Sequence, residues 1–327
     1  FITIGELHYK KGNYILKWDI INDLILPVTN NLILIEEKPY YIETAINNFL
    51  KTGDSTYLNK FESYYGSENS PYVVEIKKYY RNLRELYLKS GIKIIVKCID
   101  IPASVYSAFH NFEEIIPYNE APHSLPALNK FLRTGSKRKC SFKKAKERFL
   151  LLNEEVQNDQ EAYRKYLGDK FDDFLNQIHA GLIYFSKVDV DNSENMEKRE
   201  AFLYQTTCQI IRENSNSIFL GQFGIAHIPI TYQKNWLHFK NWNSLAARLN
   251  VGENSPVKGK VCSIVTFYTS EMDYEYENSE EAIISKEDLI IFFNLCNSPL
   301  TIFKLDGENT PFKELSEKFQ YLIINKY

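Results

Sequence analysis

The sequence predicts an α/β fold: a mainly parallel sheet flanked by helices, with a helical insertion covering the carboxyl ends of the strands. Three observations carry this. Phe1–Ile4, Leu32–Ile35 and Ile92–Ile99 are short, largely apolar runs of the kind that form strands buried on both faces. Stretches with apolar residues at helical spacing alternate with them, as in βαβ units. The three runs also end in acids: Glu6, with His8 two residues on, then Glu36 and Glu37, then Asp100. A parallel sheet brings such ends to one edge, where open α/β sheets carry their ligands.

The first strand runs straight into Gly5-Glu6-Leu7-His8. Side chains two apart on a strand point the same way, so Glu6 and His8 are expected to face one cavity, and Gly5 lets the backbone turn or be approached closely. A polar turn leads into Tyr14–Leu26, with Ile15, Trp18, Ile21 and Ile25 at helical spacing, Asn13 as the expected N-cap and Pro27 as the stop. After the second strand, Pro39–Leu50 reads as a helix, 53–72 as loop-rich, and Val74–Leu88 as a helix ended by Gly91. The third strand follows.

From Asn119 to Lys187 the strand signal disappears, and helical periodicity runs through Leu125–Leu132, Phe142–Leu152 and Gln160–Phe185. This is the expected insertion, about 119–187, of a single domain spanning 1–327. Its cations Lys137, Arg138, Lys139, Lys143, Lys144, Lys146 and Arg148 read as a solvated helix face, because Glu147, Glu154 and Glu155 follow at once and no aromatic interleaving suggests base stacking. The α/β rhythm resumes with a helix at Glu197–Arg212 and a strand at Ser217–Leu220, which runs into a glycine-flanked second histidine, His227. Further strands are expected at Lys260–Tyr268, Leu289–Leu295, Leu300–Leu305 and Tyr321–Ile324, with a helix around Asn243–Leu249.

Composition narrows the function. A chain of 327 residues, 44% hydrophobic, has ample material for a large core. A formal net charge of -3 supplies no field for nucleic acid or an anionic membrane, and no apolar run approaches the ~20 residues of a membrane helix. The expected partner is therefore a small-molecule substrate, with no nucleic acid and no membrane. Cys98, Cys140, Cys208, Cys262 and Cys296 are odd in number and scattered, which indicates neither a disulfide framework nor a CxxC metal site and points to the cytoplasm. A chain opening on Phe1 within a strand is expected to have lost an initiating segment, and loss of a signal peptide would make it an exported protein.

The strand ends collect Glu6, His8, Glu36 or Glu37, Asp100 and His227. An imidazole that is neutral near pH 7 takes a proton from water, and a neighbouring carboxylate fixes its tautomer and raises its basicity. The same groups suit a divalent metal with an open water position. No HExxH motif decides between the two, and no GxSxG elbow supports a serine nucleophile. His110, His123, His179 and His238 lie in loop or helical contexts and read as surface or hydrogen-bonded structural histidines.

Taken in order, Gly5-Glu6-Leu7-His8, Glu36, Val96-Lys97-Cys98-Ile99-Asp100, Arg199-Glu200 and Ala226-His227 resemble the motifs of the erythromycin esterase-like proteins and their ChaN-like and Tiki relatives, across nearly the whole chain. The resemblance implies a hydrolase in which a histidine-activated water attacks an ester or similar acyl bond. It places the general base on His8, its orienting acids on Glu6 and Glu36, and binding or protonation of the leaving group on His227. It makes Arg199 a partner of a site carboxylate or of a developing oxyanion, with Asp100 and Glu37 as substrate contacts. Glu6-Leu7-His8 is one residue shorter than the esterase motif and resembles the haem-binding ChaN-like branch. Gly224 and Ile225 stand where esterases often carry His and Asn. No cofactor is expected for the esterase-like chemistry; haem and a divalent metal are the alternatives that the ChaN-like and Tiki branches imply.

Overall fold

The computed structural model describes residues 1–6, 12–61, 70–116, 122–135, 140–186, 192–236, 239–268, 284–307 and 310–325. His8, His238, Lys137, Arg138 and Lys139 lie outside the described residues.

The strands are β1 (Ile2–Glu6), β2 (Asn31–Pro39), β3 (Lys93–Asp100), β4 (Ile218–Gly224), β5 (Gln233–Trp236), β6 (Phe239–Trp242), β7 (Cys262–Tyr268), β8 (Leu300–Lys304) and β9 (Tyr321–Asn325). Seven of them form one sheet in the order β3-β2-β4-β1-β7-β9-β8, and β5 and β6 pair as a separate two-stranded antiparallel sheet that the sequence analysis does not predict. β4 runs parallel to β1 and β2, β7 runs parallel to β1 and β9, and β8 runs antiparallel to β9. The expected α/β architecture with a mainly parallel sheet is the one the chain has. The central strands are buried on both faces, with Ile4, Leu32, Leu34, Ile35, Leu220, Phe223, Val265 and Leu322 in the core, which is why they read as unbroken apolar runs.

Three local expectations are corrected. Leu289–Leu295 is not a strand but lies in the helix Lys286–Leu295. Ser285 caps that helix by accepting from the Asp288 N–H, and Glu287 and Asp288 sit in its first turn, so the start signal outweighs the β propensity of Ile290, Ile291 and the phenylalanines. Asn13 is not an N-cap: it lies inside the helix Gly12–Asp19, buried, with its side chain committed elsewhere. Tyr14–Leu26 is α-helical only to Asp19, continues as a π-turn over Ile20–Ile25 and closes as a 3-10 turn at Leu26–Val28.

The chain divides into two compact units. One comprises Phe1–Glu37, Ile46–Lys97 and Leu203–Tyr327; the other comprises Lys38–Ala45 and Cys98–Phe202, and the described part of the expected insertion falls within it. The second unit is built from helices at Val105–His110, Pro126–Gly135, Phe142–Asn158, Gln160–Leu167 and Phe171–Ser186. A 3-10 turn at Gly168–Lys170 divides what reads in sequence as one stretch, Gln160–Phe185. Its core is aromatic: Phe112, Phe131 and Phe149 meet edge to face with centroids 4.9–5.8 Å apart, and Phe174 joins Phe112 at 5.4 Å. On its outer surface Lys143 and Lys144 are exposed, as a solvated helix face requires. No helix among the described residues is long and apolar enough to cross a membrane.

Candidate functional site

In the first unit the site is assembled around the end of β4. In register Glu6 stands beside Gly224 and Glu36 beside Gln222, so β1 and β2 deliver their acids to the two flanks of one strand. Because successive strand residues point to opposite faces, Glu36 and Glu37 leave β2 in opposite directions, and Glu36 shares its face with Gln222 and Ile4. The two carboxylates consequently meet different partners.

Glu37 meets the histidine. Its Oε1 lies 3.3 Å from His227 Nε2, and its Oε2 accepts the Gly224 N–H at 2.7 Å. Gly224 ends β4, and the chain enters a 3-10 turn, Ile225–His227, that presents the buried imidazole back toward β2. Two contacts hold this turn. Trp242 Nε1 donates to the Ala226 carbonyl at 2.6 Å, with its ring edge-on to His227 at 6.3 Å. Beneath the turn lies Gly5: a Cβ there would stand 2.4 Å from the Ile228 side chain and 3.5 Å from the Ile225 Cα. The close approach expected at Gly5 is thus the seat of the segment carrying His227.

Glu36 meets a cation the sequence reading did not single out. Lys17, from the helix Gly12–Asp19, forms an ion pair and hydrogen bond with Glu36 Oε1, and the two are 0% and 1% exposed. The ammonium also lies 5.5 Å from the Tyr79 ring centroid. The same helix is tied to two more strands: Gln222 Nε2 donates to the Asn13 carbonyl at 3.2 Å, and Tyr268 at the end of β7 donates its hydroxyl to Asn13 Oδ1 at 2.6 Å. A signal for Lys17 was present, since it falls three residues after Tyr14 and four before Ile21, on the stripe that this helix buries. A lysine at such a position needs a buried anion.

In the second unit Asp100 and Arg199 are brought together. Arg199 donates from Nε to Asp100 Oδ1 at 2.7 Å and from a terminal nitrogen to Oδ2 at 2.8 Å, a two-point fork between partly buried groups. The Ile101 N–H donates to the same carboxylate at 2.8 Å. His110 pairs with Glu113 at 2.5 Å on the edge of this unit, as a hydrogen-bonded structural histidine would. Among the described residues no three His, Cys, Asp or Glu side chains gather as a metal-ligand set.

No protein-family model and no curated protein matches the sequence. Solved structures do match. A mutant of the erythromycin esterase EreC in its open conformation superposes with a TM-score of 0.60 at 14% identity, over 95% of this chain and 85% of that one. A Bacillus cereus protein matches with 0.61 at 13% identity, over 99% of this chain and 88% of its own. A succinoglycan biosynthesis protein matches with 0.64 at 10% identity, over 99% and 87%. At such identities the likeness is one of fold, and the fold that the motif resemblance implied is the one found.

Proposed function

We propose that this chain is a hydrolase whose site lies at the carboxyl ends of β1, β2 and β4, where an imidazole activates water for attack on an ester or similar acyl bond. The observation that carries the reading is the His227–Glu37 contact: a buried imidazole held by a carboxylate that a backbone N–H holds in turn. A carboxylate on one ring nitrogen fixes the tautomer and stabilises the imidazolium, leaving the other nitrogen to exchange a proton with a reacting group. Sharing a fold with an erythromycin esterase supports the choice of an acyl bond.

In this reading His8 takes the proton of the attacking water, with Glu6 beside it in sequence. The water oxygen bonds to the acyl carbon and the carbonyl becomes an oxyanion. His227, stabilised by Glu37, then protonates the departing alkoxide as the tetrahedral species collapses to acid and alcohol.

The test is hydrolysis of a panel of p-nitrophenyl esters and macrolactones in ¹⁸O-enriched water. The expected result is turnover of at least one, with a single ¹⁸O in the acid product. Absence of turnover across the panel by folded protein would overturn the assignment to ester hydrolysis.

A further inference from the structure

Beyond β4 the chain leaves the sheet, and its backbone polar groups need partners other than a ladder. His227, Ile228 and Pro229 are buried, and side chains from three other elements supply donors to this segment. Trp242, at the end of β6, donates to the Ala226 carbonyl at 2.6 Å. Ser263 in β7 donates its hydroxyl to the Ile228 carbonyl at 2.6 Å. Ser244, just before the helix Leu245–Val251, donates to the Pro229 carbonyl at 2.5 Å, and Asn250 within that helix donates to the Ile230 carbonyl at 3.4 Å. The carbonyls of both residues that flank His227 are thus held by side chains.

The donors are themselves fixed. Trp242 is 1% exposed, and Ser244 and Ser263 are 0% exposed. Ser263 is joined twice to Gln320, its N–H donating to Oε1 at 2.6 Å and its carbonyl accepting the Gln320 N–H at 3.0 Å, and it stands beside Thr3 of β1 in register. Ser244 accepts the Ala247 N–H at 3.1 Å as the cap of its helix, which leaves its own hydrogen directed at Pro229. Gly5 makes room for the Ile228 side chain while Ser263 takes the Ile228 carbonyl, so the residue after His227 is located at both. An imidazole carried on a segment held in this way keeps its place against Glu37 without reorganisation.

We infer that Trp242 and Ser263 are positioning residues of the strand-end site: through the Ala226 and Ile228 carbonyls they hold the His227 imidazole with Nε2 on the Glu37 carboxylate. The inference rests on the reading of His227 and Glu37 as a working pair, and it gives β6 and β7 a part in that pair. Both residues act through the backbone and take no part in proton transfer.

The test reads which nitrogen of His227 carries the proton. Long-range ¹H–¹⁵N spectra of ¹⁵N-histidine-labelled protein are recorded where the ring is neutral, and the His227 signals are assigned by their absence from His227→Asn. In wild type the Nε2–H tautomer is expected, set by Glu37. Trp242→Phe and Ser263→Ala each delete one donor and keep the rest of the side chain. Each should mix the tautomers, moving the two ¹⁵N shifts toward one another, and the double variant should do so most. Asn47→Ala removes side-chain bonds to the Val96 backbone instead and should leave the His227 spectrum unchanged, which separates a loss of position from a general loss of stability. A folded double variant with the wild-type tautomer would overturn the inference. So would tautomer mixing in Asn47→Ala as large as that in Ser263→Ala. If the double variant does not fold, the single variants decide by the same criterion. Wild-type protein without the Nε2–H tautomer would overturn the His227–Glu37 pair, and the inference with it, before any donor is removed. No step needs turnover, so an inactive ester panel would overturn the hydrolytic reading alone.

Discussion

Gly5 is the residue at which sequence and site meet most directly. It has no side chain because the Ile225–His227 turn and Ile228 occupy that space. Gly5→Ala forces the Ile228 side chain or the turn to move, and is expected to cost about 1–3 kcal/mol in a urea unfolding titration, as overpacking of a filled core does. An unchanged midpoint would show that Ile228 yields without strain. The carboxylates teach a different lesson. Alternation along β2 told us that Glu36 and Glu37 face opposite ways but not which faces what, since the faces of a strand buried on both sides look alike in sequence. Only the placement of Lys17 and His227, 19 residues before Glu36 and 190 after Glu37 in this chain, tells the two apart.

At the level of elements, β3 is an edge strand whose backbone is closed by side chains from the helix Tyr40–Thr52. In the first unit Asn47 donates to the Val96 carbonyl at 2.8 Å and accepts the Val96 N–H at 3.0 Å, mimicking a further strand at one position. In the second, Glu43 accepts the Cys98 N–H at 2.8 Å. Asn47→Ala leaves a buried donor and acceptor unmatched and should cost about 1–3 kcal/mol, with faster amide exchange at Val96 as the local signature. Unaltered exchange there would mean that water replaces the amide. Helix and strand identities were legible wherever a start or stop signal stood beside the periodicity, as with Pro71–Ser90, which ends at Gly91 in the left-handed region with φ 67°. They were misread where an apolar run was judged without its cap, as in Lys286–Leu295. The hairpin β5–β6 was missed because its strands are only four residues each and polar residues break their apolar pattern.

For the molecule as a whole, the mainly parallel sheet was readable from the repeated pattern of apolar run and helix, with acids at the ends of β1, β2 and β3. The antiparallel β8 and the division into two units were not, because both depend on contacts between segments distant in sequence. The strand-end groups Glu37 and His227 come together from positions 190 residues apart through the pairing of β2 with β4, and the account stands on their working as a unit. The measurement that tests it most directly is the turnover of the best ester in the panel by wild type, His227→Asn and Glu37→Gln, each first shown to unfold at a similar midpoint. A fall in kcat on the order of 10²-fold or more is expected for His227→Asn, with a loss in the same direction for Glu37→Gln, as removal of an acid–base pair produces. Folded His227→Asn protein turning over the ester at the wild-type rate would contradict it.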